Sequence, residues 1–152
     1  MYKRQAPVEV REKLSIPDQS ITESLEALKA LSDVLEVSIL STCNRLEIYA
    51  LVKDKSTGIS SIKEFISDYS GIIIEDLNPH LFCFRQEDAV LHLMKVSAGL
   101  DSLVLGEGQI LSQVKKMMRL GQENQSTGPI LNRLLTQSVS TCLLYTSPSP
   151  RD

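Results

Sequence analysis

Apolar and polar positions alternate along one stretch near the middle of the chain, and a second apolar stretch follows it closely. In residues 34–40, Leu35 shares an apolar face with the side chains at 37 and 39, while Glu36 and Ser38 lie on the opposite face. Residues 46–52 are rich in Ile, Tyr and Val. A period of two and β-branched residues are typical of strands, and the short polar segment between the stretches predicts a turn. We therefore expect a hairpin-like pair of strands.

Apolar residues at helical spacing predict helices on both sides of this pair. Before it, Ser20 and Glu23 form a capping box that predicts the start of a helix. After it, the sequence predicts a loop at 53–58, a helix at 59–69 and a short strand at 81–85. A helix then starts at Glu87 and is interrupted at 97–105. Two more helices are predicted at 110–121 and 129–140.

This order of helices and strands predicts an α+β fold. With one opening strand added, the order becomes β-α-β-β-α-β, which is the split arrangement of ferredoxin-like sheets. We therefore expect a ferredoxin-like split βαβ sheet that lacks its first strand. The later helices are expected to lead into a long connecting helix.

The composition is that of an ordinary soluble domain with a core of its own, because 42% of the 152 residues are hydrophobic and 23% are charged. No apolar run approaches the roughly 18 residues of a membrane span. The net charge of −3 provides no overall basic field, so contact with nucleic acid would depend on a local patch. Lys115, Lys116 and Arg119 form a basic helical stripe, for which we favour a solvated face over a phosphate contact.

The cysteine and glycine patterns exclude several kinds of site. Three cysteines lie far apart, without a CxxC pair or a Cys/His cluster. This argues against a disulfide scaffold and a structural zinc site, and favours a reducing, cytoplasm-like compartment. Residues 106–109 are glycine-rich, but they do not form a GxGxxG motif and do not follow a predicted strand. We expect no dinucleotide site and no metal site in this chain.

Cys43 is the strongest candidate for chemistry. It lies in the polar turn beside Thr42, Asn44 and Arg45, outside the apolar alternation. A thiol attacks only as the thiolate, and the permanent charge of Arg45 suits either that thiolate or a carboxylate of a substrate. From spacing alone, a covalent nucleophile and a small space-filling side chain are equally supported.

Other candidates are weaker on pattern alone. His92 lies between two leucines of a predicted helix, where a partly buried, hydrogen-bonded histidine is the usual case and proton transfer the functional alternative. His80 follows a proline in a loop and is expected to have no special role, and Cys83 lies in an apolar run and is expected to be buried. Residues 97–102 and 106–109 are small polar segments that form ordinary bends or present polar groups to a ligand.

Both ends of the chain depart from the pattern of the rest. Residues 142–152 break the amphipathic pattern of the last predicted helix without a stop signal, and they resemble one reading frame of a sequencing adapter. Residues 1–5 resemble another frame of it. We therefore expect 1–5 and 142–152 to be adapter-derived, and 6–141 to be one natural domain that is incomplete at its N-terminal end.

Several parts of this sequence resemble the glutamyl-tRNA reductase family. The two longest motifs are Ser-Thr-Cys-Asn-Arg-Leu-Glu-Ile-Tyr at 41–49 and Gly-Leu-Asp-Ser-Leu-Val-Leu-Gly-Glu-Gly-Gln-Ile-Leu at 99–111, with His92 between them. Residues 6–14 are also similar to that family. The resemblance implies reduction of glutamate attached to its tRNA, with NADPH, to glutamate-1-semialdehyde, in tetrapyrrole (5-aminolevulinate) biosynthesis. It also implies that the NADPH-binding domain and the helical dimerisation domain are absent from this chain.

The resemblance assigns a role to each matching residue. Cys43 matches the nucleophile that forms a glutamyl thioester, and His92 matches a histidine important for activity, in proton transfer or in positioning the ester. Arg45 is expected to pair with the glutamate carboxylate. The full set of implied substrate-binding residues is Thr42, Cys43, Asn44, Arg45, Ser102, Glu107, Gly108, Gln109 and Gln113.

The resemblance also implies partners for the full-length protein, namely glutamyl-tRNA(Glu), a second copy in a homodimer, and the semialdehyde aminotransferase that receives the product. The expected location is the cytoplasm, or the plastid stroma in a plastid-bearing source. Two alternatives stay open, a non-catalytic ferredoxin-like module that binds RNA or protein, and a free-standing thiol hydrolase or acyltransferase. This chain alone is expected to form the thioester, or to hydrolyse it slowly, without completing the reduction.

Overall fold

A two-stranded antiparallel sheet lies between two layers of helices. The computed structural model describes residues 6–101 and 108–146. Its elements, in chain order, are α1 Val8–Leu14, α2 Asp18–Lys29, β1 Val34–Ser41, β2 Leu46–Val52, α3 Lys55–Ser70, α4 Ile74–Leu77, a 3-10 turn Asn78–His80, α5 Gln86–Ser97, α6 Gly108–Glu123 and α7 Pro129–Thr146. The mixture of helices with an antiparallel strand pair confirms the α+β prediction.

The two faces of the sheet bury two separate cores. The pairing of Val37 with Ala50 and of Ile39 with Ile48 directs these side chains toward α1, α2, α3 and α4. The pairing of Ser38 with Tyr49 and of Leu40 with Glu47 directs the alternate positions toward α5, α6 and α7. Because successive side chains of a strand point to opposite faces, one strand pair contributes to both cores.

The predicted polar face of β1 is wrong, because Glu36 and Ser38 are both buried and Leu35 is exposed. The register of the pair shifts between Val34 and Glu36, and this irregularity turns Leu35 to solvent. Both buried polar groups have partners. Ser38 Oγ donates to the Met117 carbonyl at 3.4 Å.

Glu36 caps helix α7 from the sheet. Its Oε1 accepts from the Ile130 amide at 3.2 Å, and its Oε2 accepts from the Leu131 amide at 2.6 Å. A carboxylate at a helix N-terminus satisfies amides that have no partner within the helix and interacts favourably with the helix dipole. A Cβ placed on Gly128 would lie 2.3 Å from Glu36 Oε1, so this contact requires glycine at that position.

The edge of β1 that faces away from β2 is bonded to the loop between α6 and α7. The Val37 amide donates to the Ser126 carbonyl at 2.8 Å, and Ser126 is buried. The loop itself is folded back on the end of α6, since the amide of Ser126 donates to the Gly121 carbonyl at 2.9 Å. The second core is therefore joined to the sheet through main-chain as well as side-chain contacts.

Two predicted helix starts are wrong by several residues. Helix α2 begins at Asp18, directly after Pro17, so that Ser20 lies inside its first turn and is not the cap. Helix α3 begins at Lys55, because the Asp54 carboxylate accepts from the amides of Ser56 and Thr57 at 2.9 and 3.0 Å. Residues 55–58 of the predicted loop are therefore helical. The predicted end at 69 is close to the observed end at Ser70, which is followed by Gly71 with a left-handed φ of 70°.

The predicted strand at 81–85 is not formed. Leu81 makes an isolated bridge, residues 82–85 have no regular secondary structure, and no strand of the described part of the chain pairs with them. Cys83 is consequently exposed, in contrast to the prediction that it is buried. Helices α1 and α4 were not predicted, and both are short.

The later helices agree with the sequence. Helix α5 contains the predicted start near Glu87 and ends at Ser97, where the predicted interruption begins. Helices α6 and α7 include the predicted segments and extend beyond them, α7 as far as Thr146. Among the described residues, no helix combines the length and the apolar character that crossing a membrane requires. Over the same residues, no group of three or more His, Cys, Asp or Glu side chains is placed to hold a metal ion.

Candidate active site

The turn between β1 and β2 presents Cys43 to solvent. The Thr42 amide donates to the Arg45 carbonyl at 2.8 Å, and Thr42 Oγ1 accepts from the amides of Asn44 and Arg45 at 3.1 and 3.2 Å. A hydroxyl that bonds the next backbone amides replaces part of the strand ladder and stabilises a tight turn. Cys43 and Asn44 are thereby held at the exposed tip.

Arg45, at the base of this turn, is buried and paired on two sides. Its side chain is 6% exposed, and Nη1 lies 2.9 Å from Glu47 Oε1 and 3.2 Å from Asp101 Oδ2. Nη2 donates to the Asp101 carbonyl at 2.8 Å. The guanidinium therefore joins the start of β2 to the turn that follows α5.

Glu47 is the centre of this buried network. Its carboxylate accepts from Arg45 and from the Tyr49 hydroxyl, and its Oε1 also lies 3.0 Å from His92 Nε2. The side chains of Arg45, just before β2, and of Glu47 and Tyr49 within it are two positions apart, so they point to the same face of the strand. This is the face that meets α5. The ring of His92 stacks on Phe84 with centroids 4.8 Å apart and an interplanar angle of 22°.

The network holds Glu47 ionised. Burial raises the pKa of the Glu47 carboxyl, but hydrogen bonds from His92 and Tyr49 and the positive charges of His92 and Arg45 outweigh it, so that the pKa is lowered overall. Burial, with the charge and hydrogen bond of Glu47, raises the pKa of the Tyr49 hydroxyl. An ionised carboxylate only accepts, so His92 Nε2 carries a proton in this contact, and Nδ1 is the ring nitrogen that does not face Glu47.

The end of α5 positions Asp101. The amide of Gly99 donates to the Val96 carbonyl at 3.0 Å, and that of Leu100 donates to the Lys95 carbonyl at 2.9 Å. Gly99 adopts a φ of 73°, which favours glycine and lets the chain leave the helix in a tight turn. Helix α5 and this turn thus contribute both His92 and Asp101 to the network.

The structure brings together only part of the predicted site. Cys43, Asn44, Thr42 and Arg45 share one turn, and His92 is joined to Arg45 through Glu47. Gly108 is the first residue of α6, whose first turn also carries the exposed Gln109, and Gln113 is half-buried one turn later. Ser102 and Glu107 lie outside the described residues.

Three residues of the network escaped the sequence analysis, namely Glu47, Tyr49 and Asp101. For the first two a signal was present, because polar groups at every second position of β2 after Arg45 must share a face. Asp101 gave no such signal, since its contact with Arg45 depends on how α5 packs against the sheet. The basic stripe is partly neutralised within the chain, because Lys116 pairs with Asp18 and Arg119 Nε lies 3.7 Å from Glu123 Oε1.

Chemically, the site combines an accessible thiol with a buried, charged network. A thiol at an exposed tip is open to a large substrate, and a histidine fixed by an ionised carboxylate is suited to proton transfer. The described residues do not fit the dinucleotide site of a Rossmann-type fold, because their two strands are antiparallel and they contain no parallel strand–helix–strand unit. An open cleft of about 490 Å³ lies between α1 and α4 and is lined by none of the predicted site residues.

Comparison with known proteins gives a consistent result. The model of the family described as "Glutamyl-tRNAGlu reductase, N-terminal domain" matches residues 1–142. Glutamyl-tRNA reductase of Prochlorococcus marinus (strain MIT 9312) is 95% identical over 138 residues, which cover 91% of this chain and 32% of that protein. The enzyme of the same name from Synechococcus sp. (strain WH7803) is 70% identical over the same shares of the two chains.

A solved structure matches as well. Glutamyl-tRNA reductase from Methanopyrus kandleri aligns with a TM-score of 0.66 and 24% identity, over 92% of this chain and 31% of that one. At this identity the match supports the fold alone. The chain thus spans about a third of the length of the curated relatives it matches.

Proposed function

This chain belongs to the family of glutamyl-tRNA reductase N-terminal domains, and on that basis we propose that it captures the glutamyl group of glutamyl-tRNA on Cys43. The observation that carries the proposal is the turn itself, which exposes Cys43 two residues before Arg45, a member of the buried Arg45–Glu47–His92 network. An exposed cysteine in a polar turn has no packing role that would account for it.

In the proposed reaction, the Cys43 thiolate attacks the carbonyl carbon of the aminoacyl ester. A carbon–sulfur bond forms, the ester carbon–oxygen bond breaks, and the terminal ribose oxygen of the tRNA leaves with a proton. Because Nε2 of His92 is bonded to Glu47, we assign to Nδ1 both the uptake of the proton from the Cys43 thiol and its delivery to the leaving ribose oxygen. A thioester remains electrophilic enough to be reduced in a later step.

Substrate recognition is assigned to the residues around the turn. The free side-chain carboxylate of the glutamyl group would pair with Arg45, whose planar fork of donors matches a carboxylate better than an ammonium does. The remaining contacts are assigned to Thr42, Asn44, Ser102, Glu107, Gly108, Gln109 and Gln113, as the family resemblance implies.

The later steps are assigned to the full-length protein. NADPH supplies a hydride when it is bound, and since the described residues do not fit a Rossmann-type site for it, we propose that other parts of the protein hold it. Reduction to glutamate-1-semialdehyde, the homodimer, hand-over to the aminotransferase, and a role in tetrapyrrole biosynthesis in the cytoplasm belong to the same proposal. The finer description of the fold as a ferredoxin-like split βαβ sheet belongs to it too.

Trapping the covalent intermediate tests the proposal. The full-length protein is mixed with glutamyl-tRNA in the absence of NADPH, and intact-protein mass spectrometry is expected to show one added glutamyl group. Cys43→Ser should abolish this adduct. Cys83→Ser is the matched control, because Cys83 is also exposed, and it should leave the adduct unchanged. An adduct that survives Cys43→Ser would overturn the assignment.

A further inference from the structure

Phe84 is an exposed aromatic side chain that contacts the candidate site. It is 42% exposed, and its ring stacks on the ring of His92 with centroids 4.8 Å apart. Of the aromatic side chains that the structure describes, only Phe84 and Tyr69 are exposed, and Tyr69 lies on α3. A flat aromatic ring that is open to solvent is a surface on which a nucleic acid base can stack.

The chain brings Phe84 to His92 by a sharp turn at the start of α5. The two residues are eight positions apart. In a continuous helix this spacing would separate them by about 12 Å along the axis, which is too far for their rings to stack. Gln86 instead adopts a φ of 49°, in the left-handed region that residues other than glycine rarely occupy. Such a conformation persists only where the surrounding structure requires it, so the contact between the two rings is built into the fold.

The charges around Phe84 favour contact with a base over contact with a phosphate. Arg85 is exposed, but Glu87 and Asp88 follow it in the first turn of α5. The two carboxylates would repel a phosphate, whereas stacking on a phenyl ring depends on the flat face of a base. The ring is therefore the part of this segment that is suited to hold a nucleic acid.

We propose that Phe84 is the platform on which the terminal base of the tRNA stacks while the glutamyl group is captured. The inference rests on the proposed function, in which His92 delivers a proton to the leaving ribose oxygen. That oxygen must come within hydrogen-bond distance of the His92 ring. The terminal base is joined to the same ribose, so it must lie close to the ring that Phe84 contacts.

Phe84 is accordingly a substrate-binding residue that holds the leaving group and not the glutamyl group. Stacking holds the base equally well before and during the attack, so it lowers the concentration of tRNA that is needed without changing the rate of the chemical step. A role limited to orienting His92 would have the opposite signature, because it would change the maximal rate.

Single-turnover capture on the full-length protein without NADPH tests this inference. For Phe84→Leu, we expect the half-saturating concentration of glutamyl-tRNA to rise about tenfold, a size typical of one lost base stack, with the maximal capture rate unchanged. Phe84→Trp keeps an aromatic face and should behave like the unsubstituted protein. Tyr69→Leu is the matched control, because Tyr69 is also exposed and stacked on another ring, that of Phe65, and it should alter neither quantity.

Uncharged tRNA used as a competitor tests the contact with the last nucleotide. A tRNA that lacks this nucleotide should inhibit capture by the unsubstituted protein about tenfold more weakly than the complete tRNA does. In Phe84→Leu the two competitors should inhibit almost equally. Because the two competitors are compared within one protein, the result does not depend on how much of a variant is folded.

The outcomes separate the two proposals. If the unsubstituted protein captures no glutamyl group, the proposed function fails and the platform fails with it. If capture is normal and Phe84→Leu leaves the half-saturating concentration unchanged, or lowers only the maximal rate, the platform alone is overturned. Equal inhibition of the unsubstituted protein by the two competitors also overturns it.

Discussion

At the scale of single residues, Glu47 determines the electrostatics of the candidate site. One buried carboxylate receives a guanidinium, an imidazole and a phenol, so it fixes the orientation of three side chains from two elements. A carboxylate with this number of charge-assisted bonds stabilises the fold as long as it is ionised. If the Glu47 carboxylate were removed, the Asp101 carboxylate would still lie 3.2 Å from Arg45 Nη1.

Replacement of Glu47 should destabilise the protein in a pH-dependent way. We expect Glu47→Gln to lower the free energy of unfolding at neutral pH by about 3 kcal/mol, as for other broken buried ion pairs. Because the folded-state pKa of Glu47 is lowered, its contribution is complete above the ordinary glutamate pKa of about 4.3 and is lost as the pH falls below that value. The difference between the two proteins should therefore shrink on acidification.

Urea unfolding at a series of pH values measures this difference. Glu26→Gln is the control, because Glu26 is an exposed glutamate of α2 and its replacement should change stability little at any pH. A difference for Glu47→Gln that grows as the pH falls would show that folding raises the pKa of the Glu47 carboxyl, in contradiction to the lowered pKa expected from its contacts.

Residue types alone indicated part of this site. Cys43, Arg45 and His92 were candidates because a thiol, a permanent cation and a titratable ring each have a limited set of uses. The contact between Glu47 and His92, 45 positions apart in the sequence, could not be predicted, since it depends on the packing of α5 against β2. Cys83 was misjudged because an apolar neighbourhood in the sequence becomes a buried one only when the segment is covered.

At the scale of elements, the junction between β1 and α7 depends on the fit between Glu36 and Gly128. The carboxylate that caps α7 occupies the space that any larger residue at 128 would need. The φ of Gly128 does not lie in the left-handed region, so space and not backbone strain is what requires glycine here. The cap and the glycine should therefore be coupled energetically.

A double-mutant cycle tests that coupling. Gly128→Ala should lower the free energy of unfolding by about 1–3 kcal/mol, which is the usual cost of overpacking. In a Glu36→Ala background, where the obstructing carboxylate is gone, the same change should cost much less. Equal costs in the two backgrounds would show that the two residues do not interact.

The sequence predicted an element well where the element has a clear apolar pattern of its own. It predicted poorly where contact with another element determines whether a strand forms or which face is buried. The bounds of β2 agree with prediction because its apolar run, rich in strand-forming side chains, is flanked by polar residues on both sides. Residues 81–85 have strand-forming side chains, but a strand needs a ladder partner and no adjacent strand is available to them among the described residues. The polar face assigned to β1 failed for a related reason, because α6 and α7 cover it.

At the scale of the whole molecule, the strand pair is shared by the two cores. Leu25 belongs to the core formed with α1, α2, α3 and α4, and Leu135 belongs to the core formed with α5, α6 and α7, and each is almost completely buried. Since β1 and β2 contribute to both cores, loss of either one exposes a face of the same sheet. We therefore expect the two cores to unfold as one cooperative unit.

Matched truncations in the two cores test this expectation. Leu25→Ala and Leu135→Ala should each lower the free energy of unfolding by about 2–5 kcal/mol. In each case a single transition should be seen, with the same denaturant slope as the unsubstituted protein and with coincident far-ultraviolet circular dichroism and tyrosine fluorescence signals. Two separate transitions in either variant would show that the cores are independent.

The bond between Val37 and Ser126 also bears on how copies of this protein behave at high concentration. A strand edge with unused amides recruits strands from other molecules and so seeds polymers. Here the loop between α6 and α7 uses the Val37 amide and lies along that edge. The loop therefore blocks the addition of a strand from another molecule. A shortened loop should make the protein self-associate even when the two cores stay folded.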